Sequence, residues 1–234
     1  MFANLVLADE VNRSPARTQA ALLEVMQERQ VTIAGETHKV PQPFLVMATQ
    51  NPIETEGTYP LPEAQVDRFM MKVLVGYPNE EEEFVIVERV TGPATAVAAV
   101  CSTEQLMELQ QQCRRIYVDP NLMQYAVKLV AATRRPAQYG LKDIERYLTF
   151  GASPRATINL IEGARALAFL RGRSYVLPED VVDIVPDVLR HRLVLSYEAL
   201  AEGISAERLI HQIMGKVARP EKPLQHAQTG EQLG

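Results

Sequence analysis

The chain has 234 residues, of which 47% are hydrophobic and 23% are charged, and its formal net charge is −5. This ordinary globular composition has room for one large or two small domains, contains no apolar run near the roughly 18 residues of a membrane span, and disfavours a general nucleic-acid-binding surface. The two cysteines and four scattered histidines indicate neither a disulfide framework nor a zinc site, so we expect a cytoplasmic protein.

The first predicted element is an apolar strand that ends in two adjacent acids. Residues 5–8 run directly into Asp9 and Glu10. A buried parallel strand delivers such residues to the carboxyl edge of a sheet, where α/β folds place their ligands. Two carboxylates at that edge can hold Mg²⁺ and aim a water at a phosphate, although many strands simply end in acidic loops. The pattern is compatible with a nucleotide-hydrolysing site, and by itself it leaves the acidic loop as an alternative.

A helix, a hairpin and a second strand are predicted next. The pair Ser14–Pro15 is expected to cap a helix and to occupy its first position, and residues 16–27 are good-to-moderate helix formers. Residues 31–40 alternate around Gly35, which predicts a short β-hairpin inserted ahead of the buried strand 44–49. The hairpin is interpreted as an accessory to the sheet.

Several prolines after residue 51 predict a loop. Residues 71–75 are predicted to form a last short strand. Tyr77–Pro78 then mark a domain boundary, because the pattern changes to helices beyond it. Asn79 is predicted to cap a helix whose acidic first turn, Glu80–Glu83, suits the positive end of the helix dipole. We interpret that run as a solvated helix start and not as a metal site.

Five further helices are predicted from capping residues and apolar stripes, and they span residues 103–116, 120–134, 154–170, 178–195 and 205–217. One face of the last helix carries the apolar residues expected of a core stripe, namely Ile210, Ile213, Met214 and Val217. We therefore expect a first domain over residues 1–78, a helical domain over 79–219 and a disordered polar tail over 220–234.

Five motifs in chain order resemble the MoxR family of AAA+ ATPases. They are Leu-Ala-Asp-Glu-Val-Asn-Arg at 7–13, Ala-Leu-Leu-Glu-Val-Met-Gln-Glu at 21–28, Ala-Thr-Gln-Asn-Pro at 48–52, Leu-Pro-Glu-Ala-Gln-Val-Asp-Arg-Phe at 61–69, and Gly-Ala-Ser-Pro-Arg at 151–155. The resemblance covers nearly all of the chain except the polar tail. It implies an α/β fold: the later half of an AAA+ P-loop NTPase core, with a parallel sheet and an inserted β-hairpin, followed by an α-helical lid domain.

The resemblance also implies roles for three residues at the sheet edge. Asp9 matches the magnesium-associated acid of the Walker B strand, which serves Mg²⁺ directly or through its water shell. Glu10 matches the catalytic base. Asn51 matches sensor 1, an amide that can donate to the γ-phosphate of ATP and orient water; read without the other motifs, Asn51 is equally suited to start an Asn-Pro turn.

Two arginines take roles from the same resemblance. Arg68 resembles the arginine finger, whose planar fork neutralises charge on the phosphate in a neighbouring subunit. Its alternative is a surface ion pair with Asp67. Arg155 resembles sensor 2, which binds nucleotide from the lid. Its alternative is a solvated arginine in a first helical turn, where the helix dipole mildly disfavours a cation.

The function implied by the resemblance is ATP hydrolysis, with ATP and Mg²⁺ as cofactors, in a homo-oligomeric ring. Hydrolysis in this family drives chaperone-like remodelling or maturation of partner complexes, often with a protein that contains a von Willebrand factor A domain. A loop of the form Gly-x4-Gly-Lys-Ser/Thr occurs nowhere in the 234 residues. We therefore expect a fragment that begins at the Walker B strand and, alone, hydrolyses no ATP.

Two other functions stay open at this point. The first is a non-hydrolytic interaction module, because a chain without a phosphate loop can still pack in a mixed ring or bind a partner through its lid. The second is a DNA-remodelling motor of a related clade, against which the acidic balance argues. The motif match is closer to MoxR.

Overall fold

The computed structural model describes residues 3–51, 59, 61–94 and 96–221. Several loop prolines after Asn51 and most of the predicted disordered tail lie outside these residues. The strands are β1 (Leu5–Ala8), β2 (Gln30–Ile33), β3 (Glu36–Lys39), β4 (Leu45–Ala48), β5 (Leu148–Phe150) and β6 (Val194–Leu195). The helices are α1 (Ala16–Glu28), α2 (Glu63–Val66), α3 (Glu80–Thr91), α4 (Thr103–Arg114), α5 (Pro120–Arg134), α6 (Lys142–Glu145), α7 (Pro154–Leu170), α8 (Pro178–Leu189), α9 (Tyr197–Ala201) and α10 (Ala206–Lys216).

Strands β1 and β4 are parallel neighbours, in register from the Leu5–Leu45 pair to the Ala8–Ala48 pair. One face of this ribbon packs on a small core that includes Val25 of α1. The prediction that both strands are buried is wrong for the other face of the ribbon, where Leu5, Leu7, Leu45 and Met47 are 61%, 62%, 52% and 50% exposed. That face is open because none of the described residues covers it. Since both strands end at the same edge, the residues that follow them are brought together.

The start of α1 differs from the prediction. The helix begins at Ala16, and Ser14 does not cap it; Ser14 instead follows a 3₁₀ turn over Val11–Arg13. The buried Gln19 side chain stabilises this junction, because its Nε2 donates to the carbonyls of Val11 and Ser14 at 3.2 and 3.1 Å. Helix α1 is thereby tied to the chain that leaves the two acids.

Strands β2 and β3 form the predicted antiparallel hairpin. Residues 71–75, however, form no strand. The chain beyond Arg68 contacts the last turn of the lid helix α8 and the residues after it, and the Lys72 amide donates to the Asp187 carbonyl at 2.8 Å. The predicted strand is wrong because its backbone partner is a helix terminus.

The main hydrophobic core lies in the helical part of the chain, where α5, α7, α8 and α10 pack together around fully buried side chains such as Leu129 and Leu160. Helices α5 and α7 have the predicted bounds. The last helix buries the predicted stripe, with Ile210 and Ile213 fully inaccessible. The predicted cap at Asn79 is confirmed, since its side chain accepts from the Glu82 amide, and the Glu82 side chain completes a capping box by accepting from the Asn79 amide. Across the described residues, no helix is both long and apolar enough to cross a bilayer.

Helix α8 ends at Leu189 and not at residue 195 as predicted. The next residues turn away, and the chain then forms β6, which pairs antiparallel with β5. The turn frees the side chains of Arg190–Arg192, which bind backbone carbonyls of residues 67–72. A run of sequence suited to helix is thus interrupted by a tertiary contact. The predicted domain limits at 78 and 219 stay predictions.

Candidate active site

The Thr49 hydroxyl contacts both Asp9 and Glu10 at the edge of the β1–β4 ribbon. Thr49, the first residue after β4, donates its hydroxyl to Asp9 Oδ1 at 2.5 Å and accepts from the Glu10 amide at 2.8 Å. Its backbone continues the strand pairing, with the Thr49 amide 3.0 Å from the Ala8 carbonyl. Thr49 belongs to the motif at 48–52 but was assigned no role, although a hydroxyl residue directly after an apolar strand is a usable signal.

Glu10 lies in the left-handed region of backbone conformation, at φ 46° and ψ 50°. This conformation is uncommon for a residue that carries a Cβ, and such residues are concentrated at functional sites. Glu10 Oε2 is 2.9 Å from Nε of Arg13, and Asn51 Nδ2 donates to Glu10 Oε1 at 3.5 Å. The structure therefore brings together the carboxylate predicted as base and the amide predicted as sensor 1.

The donor set at this edge fits the requirements of Mg²⁺. That ion is usually bound in nucleotide sites by one or two carboxylates, and its remaining ligands are waters and phosphate oxygens. Asp9 is exposed, and its carboxylate is oriented by the Thr49 hydroxyl. Among the described residues, no group of three or more acidic, histidine or cysteine side chains forms a closed metal cage. An open site of this kind suits an ion that arrives with its nucleotide.

Asp67 is the centre of a second cluster, which joins residues 67–72 to the lid. Its carboxylate accepts from the Ser153 hydroxyl at 3.0 and 2.9 Å and from Arg192 Nε at 2.8 Å. Arg155 Nη1 also lies 3.4 Å from Asp67 Oδ2. The predicted sensor 2 arginine therefore lies beside the residue that precedes Arg68, and it makes no hydrogen bond or ion pair with the predicted acids among the described residues.

Arg68 does not form the alternative ion pair with Asp67, because that carboxylate is bound by other arginines. The Arg68 side chain is exposed. Within the part of the chain that the structure describes, its guanidinium has no hydrogen bond or salt bridge. Arg68 is thus available to a group outside the described residues.

Arg192 is a buried residue that the sequence analysis overlooked. Its side chain is 1% exposed, and burial lowers the pKa of its guanidinium while the carboxylate of Asp67 opposes that shift. Buried charges are tolerated only where they are paired and fully hydrogen-bonded, and Arg192 meets both conditions. No local pattern indicated this, since Arg192 lay within the predicted helix 178–195 and was assigned no contact.

His191 is the neighbouring buried group. Burial, reinforced by the positive charge of Arg192, lowers the pKa of His191 from 6.5 to about 4. The ring is therefore neutral near pH 7, and its Nε2 lies 3.2 Å from the Phe69 carbonyl, where it donates in the corresponding tautomer.

The pKa of His191 predicts a pH dependence of folding stability. Because the unfolded chain binds a proton near pH 6.5 and the folded chain only near pH 4, the free energy of unfolding should be highest above pH 6.5. It should fall by up to about 3 kcal/mol as the pH drops from 6.5 to 4. Urea unfolding of wild type and His191→Gln, which retains a donor but does not titrate, measures this contribution as their difference. His211→Gln, at an exposed position, is the control; an unchanged slope in His191→Gln would contradict the assignment.

Comparison with known protein families identifies both parts of the chain. The model described as "ATPase family associated with various cellular activities (AAA)" matches residues 1–71, and the model described as "AAA lid domain" matches residues 140–213. The first match contains the cluster of Asp9, Glu10, Thr49 and Asn51. The second contains Arg155 and Arg192.

Relatives extend this similarity over most of the chain. Chaperone MoxR1 of Mycobacterium tuberculosis is 53% identical over 94% of this chain, YeaC of Bacillus subtilis is 42% identical over 94%, and protein MoxR of Paracoccus denitrificans is 31% identical over 84%. The chain spans 59%, 67% and 62% of their respective lengths. The crystal structure of a putative ATPase from Cytophaga hutchinsonii superimposes with a TM-score of 0.91 at 49% identity, over 94% of this chain and 67% of that one.

Proposed function

This chain belongs to the MoxR family of AAA+ ATPases, and on that premise we propose that it supplies the water-activating side of an ATP-hydrolysing site. One observation carries the proposal. Glu10 and Asn51 are 41 residues apart in the chain, yet their side chains meet at the end of two parallel strands. A carboxylate beside an amide donor is the arrangement that activates and orients a water for attack on a phosphate.

The proposed reaction is the hydrolysis of the γ-phosphate of ATP. Asn51 orients a water, Glu10 accepts its proton, and the water oxygen forms a bond to the γ-phosphorus as the bond to the bridging β-phosphate oxygen breaks and ADP leaves. Asp9, held by Thr49, is the residue that would serve Mg²⁺. Mg²⁺, when bound, would supply positive charge that offsets the negative charge developing on the phosphate oxygens.

Arg68 and Arg155 complete the proposal. An exposed guanidinium without a described partner is free to reach a phosphate in a neighbouring copy of the chain, which is how an arginine finger acts. Arg155 is proposed to bind nucleotide from the lid as sensor 2. The role of Arg68 requires a neighbouring subunit, because a residue that acts across a boundary needs a second copy of the chain.

The biological output that the comparisons support is chaperone-like. The Mycobacterium tuberculosis relative is named a chaperone. We propose that ATP hydrolysis by the complete assembly remodels or matures a partner protein complex, and that a protein with a von Willebrand factor A domain is one such partner. Co-purification of the protein in the presence of ATP and of the hydrolysis product ADP, followed by mass spectrometry, would identify nucleotide-dependent partners.

The isolated 234-residue chain is predicted to release phosphate from ATP no faster than buffer. The reason is that no Gly-x4-Gly-Lys-Ser/Thr loop is present to hold the β- and γ-phosphates while Glu10 acts. A phosphate-release assay compares this chain with an extended protein, defined as the same residues preceded by a strand, a loop of that form and a helix. Magnesium-dependent turnover by the isolated chain that Glu10→Gln abolishes would contradict the prediction.

A further inference from the structure

The backbone on both sides of Arg68 is held by one buried side chain. Arg192 donates from Nη2 to the Asp67 carbonyl at 3.0 Å and to the Phe69 carbonyl at 2.6 Å, and from Nη1 to the Met70 carbonyl at 3.2 Å. Its Nε donates to the Asp67 carboxylate at 2.8 Å. The residues before and after Arg68 are therefore bound to the same guanidinium.

The neighbours of Arg192 extend this contact. His191 lies 3.2 Å from the Phe69 carbonyl, and Arg190 donates to the Lys72 carbonyl. Arg190 is itself bound to Glu207 of α10 at 3.1 Å. We call residues 190–192 the carbonyl clamp. It binds the Arg68 segment to the lid through backbone atoms, so the contact does not depend on which side chains that segment carries at positions 68–72.

The Arg68 side chain has no comparable support. It is exposed, and its guanidinium has no hydrogen bond or ion pair with another described residue. The position of its Cα is therefore set by the backbone contacts on either side. A group that must reach a phosphate depends strongly on such placement, since a displacement of about 1 Å can cost about 10²-fold in rate.

We infer that Arg192 is a positioning residue for Arg68, and that through it the lid determines where the arginine finger stands. This inference rests on the proposed function of Arg68. Arg192 is suited to the role because a planar fork with five donors can bind several carbonyls and a carboxylate at once, which a lysine ammonium does not reproduce. Asp67, which Arg192 binds, also contacts Arg155 and Ser153 of the lid. The residue that precedes Arg68 in the chain is therefore in contact with the second predicted arginine.

A double-mutant cycle in the extended protein tests the inference. Arg192→Lys keeps the charge for Asp67 but loses the fork, and it should lower kcat for ATP by about 10-fold to 10²-fold with KM little changed. In an Arg68→Ala background the same substitution should cost no further activity, because the residue being positioned is gone. An equal loss in both backgrounds would overturn the inference and assign Arg192 a general structural role.

The control is Arg173→Lys, which alters an arginine that binds the buried Asp180 carboxylate elsewhere in the lid. It should leave kcat unchanged. If Arg68→Ala itself leaves turnover unchanged, the proposed function of Arg68 fails, and the cycle identifies that failure separately from failure of the clamp.

Hydrogen exchange in the 234-residue chain gives a readout that does not need activity. The Lys72 amide, bonded to the Asp187 carbonyl at 2.8 Å, should exchange faster in Arg192→Lys, while amides of α5 keep their wild-type rates. Unchanged exchange at Lys72 would contradict the clamp. If Arg192→Lys does not fold, Asp67→Asn, which removes the carboxylate charge that Arg192 binds, takes its place in the exchange experiment, where unchanged exchange at Lys72 would equally contradict the clamp.

Discussion

Replacing Arg68 with alanine in the extended protein is expected to slow ATP hydrolysis by about 10³-fold to 10⁵-fold, the range observed for loss of an arginine finger. The affinity for ATP should barely change, because an arginine in the proposed role acts on charge that develops in the transition state. Phosphate release and the binding of a fluorescent ATP analogue measure the two quantities. Arg17→Ala, at an exposed position on α1, is the matched control and should leave both unchanged.

Mixing variants determines whether Arg68 acts within its own subunit or on a neighbour. Subunits with Arg68→Ala keep Glu10, and subunits with Glu10→Gln keep Arg68. Mixed rings of the extended protein therefore contain some sites in which an intact Glu10 faces an intact Arg68, and they should recover activity that neither variant shows alone. If mixed rings form, as native mass spectrometry would show, and hydrolyse no faster than the separate variants, the assignment across the boundary is wrong.

Replacing Glu10 with glutamine in the extended protein should lower the rate of ATP hydrolysis by about 10²-fold to 10⁴-fold while ATP still binds. Glutamine keeps the size of the side chain and can still contact Asn51, but it cannot accept the proton from water. Assembly that depends on ATP should then be trapped, because bound ATP persists. Single-turnover hydrolysis and equilibrium binding of ATP separate the two effects.

The matched control for this experiment is Glu24→Gln, the same change at an exposed position on α1. It should hydrolyse ATP at the wild-type rate. A loss of ATP binding in Glu10→Gln as large as the loss of turnover would instead make Glu10 a binding or structural residue. A structural role for Glu10 would then be explained by its ion pair with Arg13, because glutamine also removes this ion pair.

The cluster at the sheet edge was largely predictable from sequence. Apolar strands that end in polar residues are local patterns, and parallel strands place their carboxyl ends at one edge whatever lies between them. Asp9 and Glu10 could therefore be selected from the strand pattern, whereas Asn51 was selected because the motif at 48–52 resembles the family's sensor 1. Thr49 was missed, although it lies beside Asn51, because its contribution is a hydroxyl that joins two acids of another strand.

Helix positions were predictable where the signals are local. Helices α5 and α7 begin at prolines preceded by capping residues, and their predicted bounds are confirmed. The predicted elements were wrong where the chain makes hydrogen bonds with residues distant in sequence. Residues 71–75 are apolar enough for a strand, but the backbone at Lys72 binds a lid helix, and α8 ends early in the turn that forms the carbonyl clamp.

The sequence by itself thus determined the family, because five short motifs in chain order carry the resemblance. That resemblance in turn implied the α/β core, its helical lid and the residues proposed to activate water. Only the tertiary structure decided what surrounds Arg68. Asp67 and Arg192 are 125 residues apart, and nothing in the composition of either segment indicates the other. Their pairing follows from the packing of the lid, which buries the Arg192 guanidinium. A buried guanidinium is stable only when a carboxylate and carbonyl oxygens bind it. Because these partners come from distant segments of the chain, they can be identified only in the folded structure.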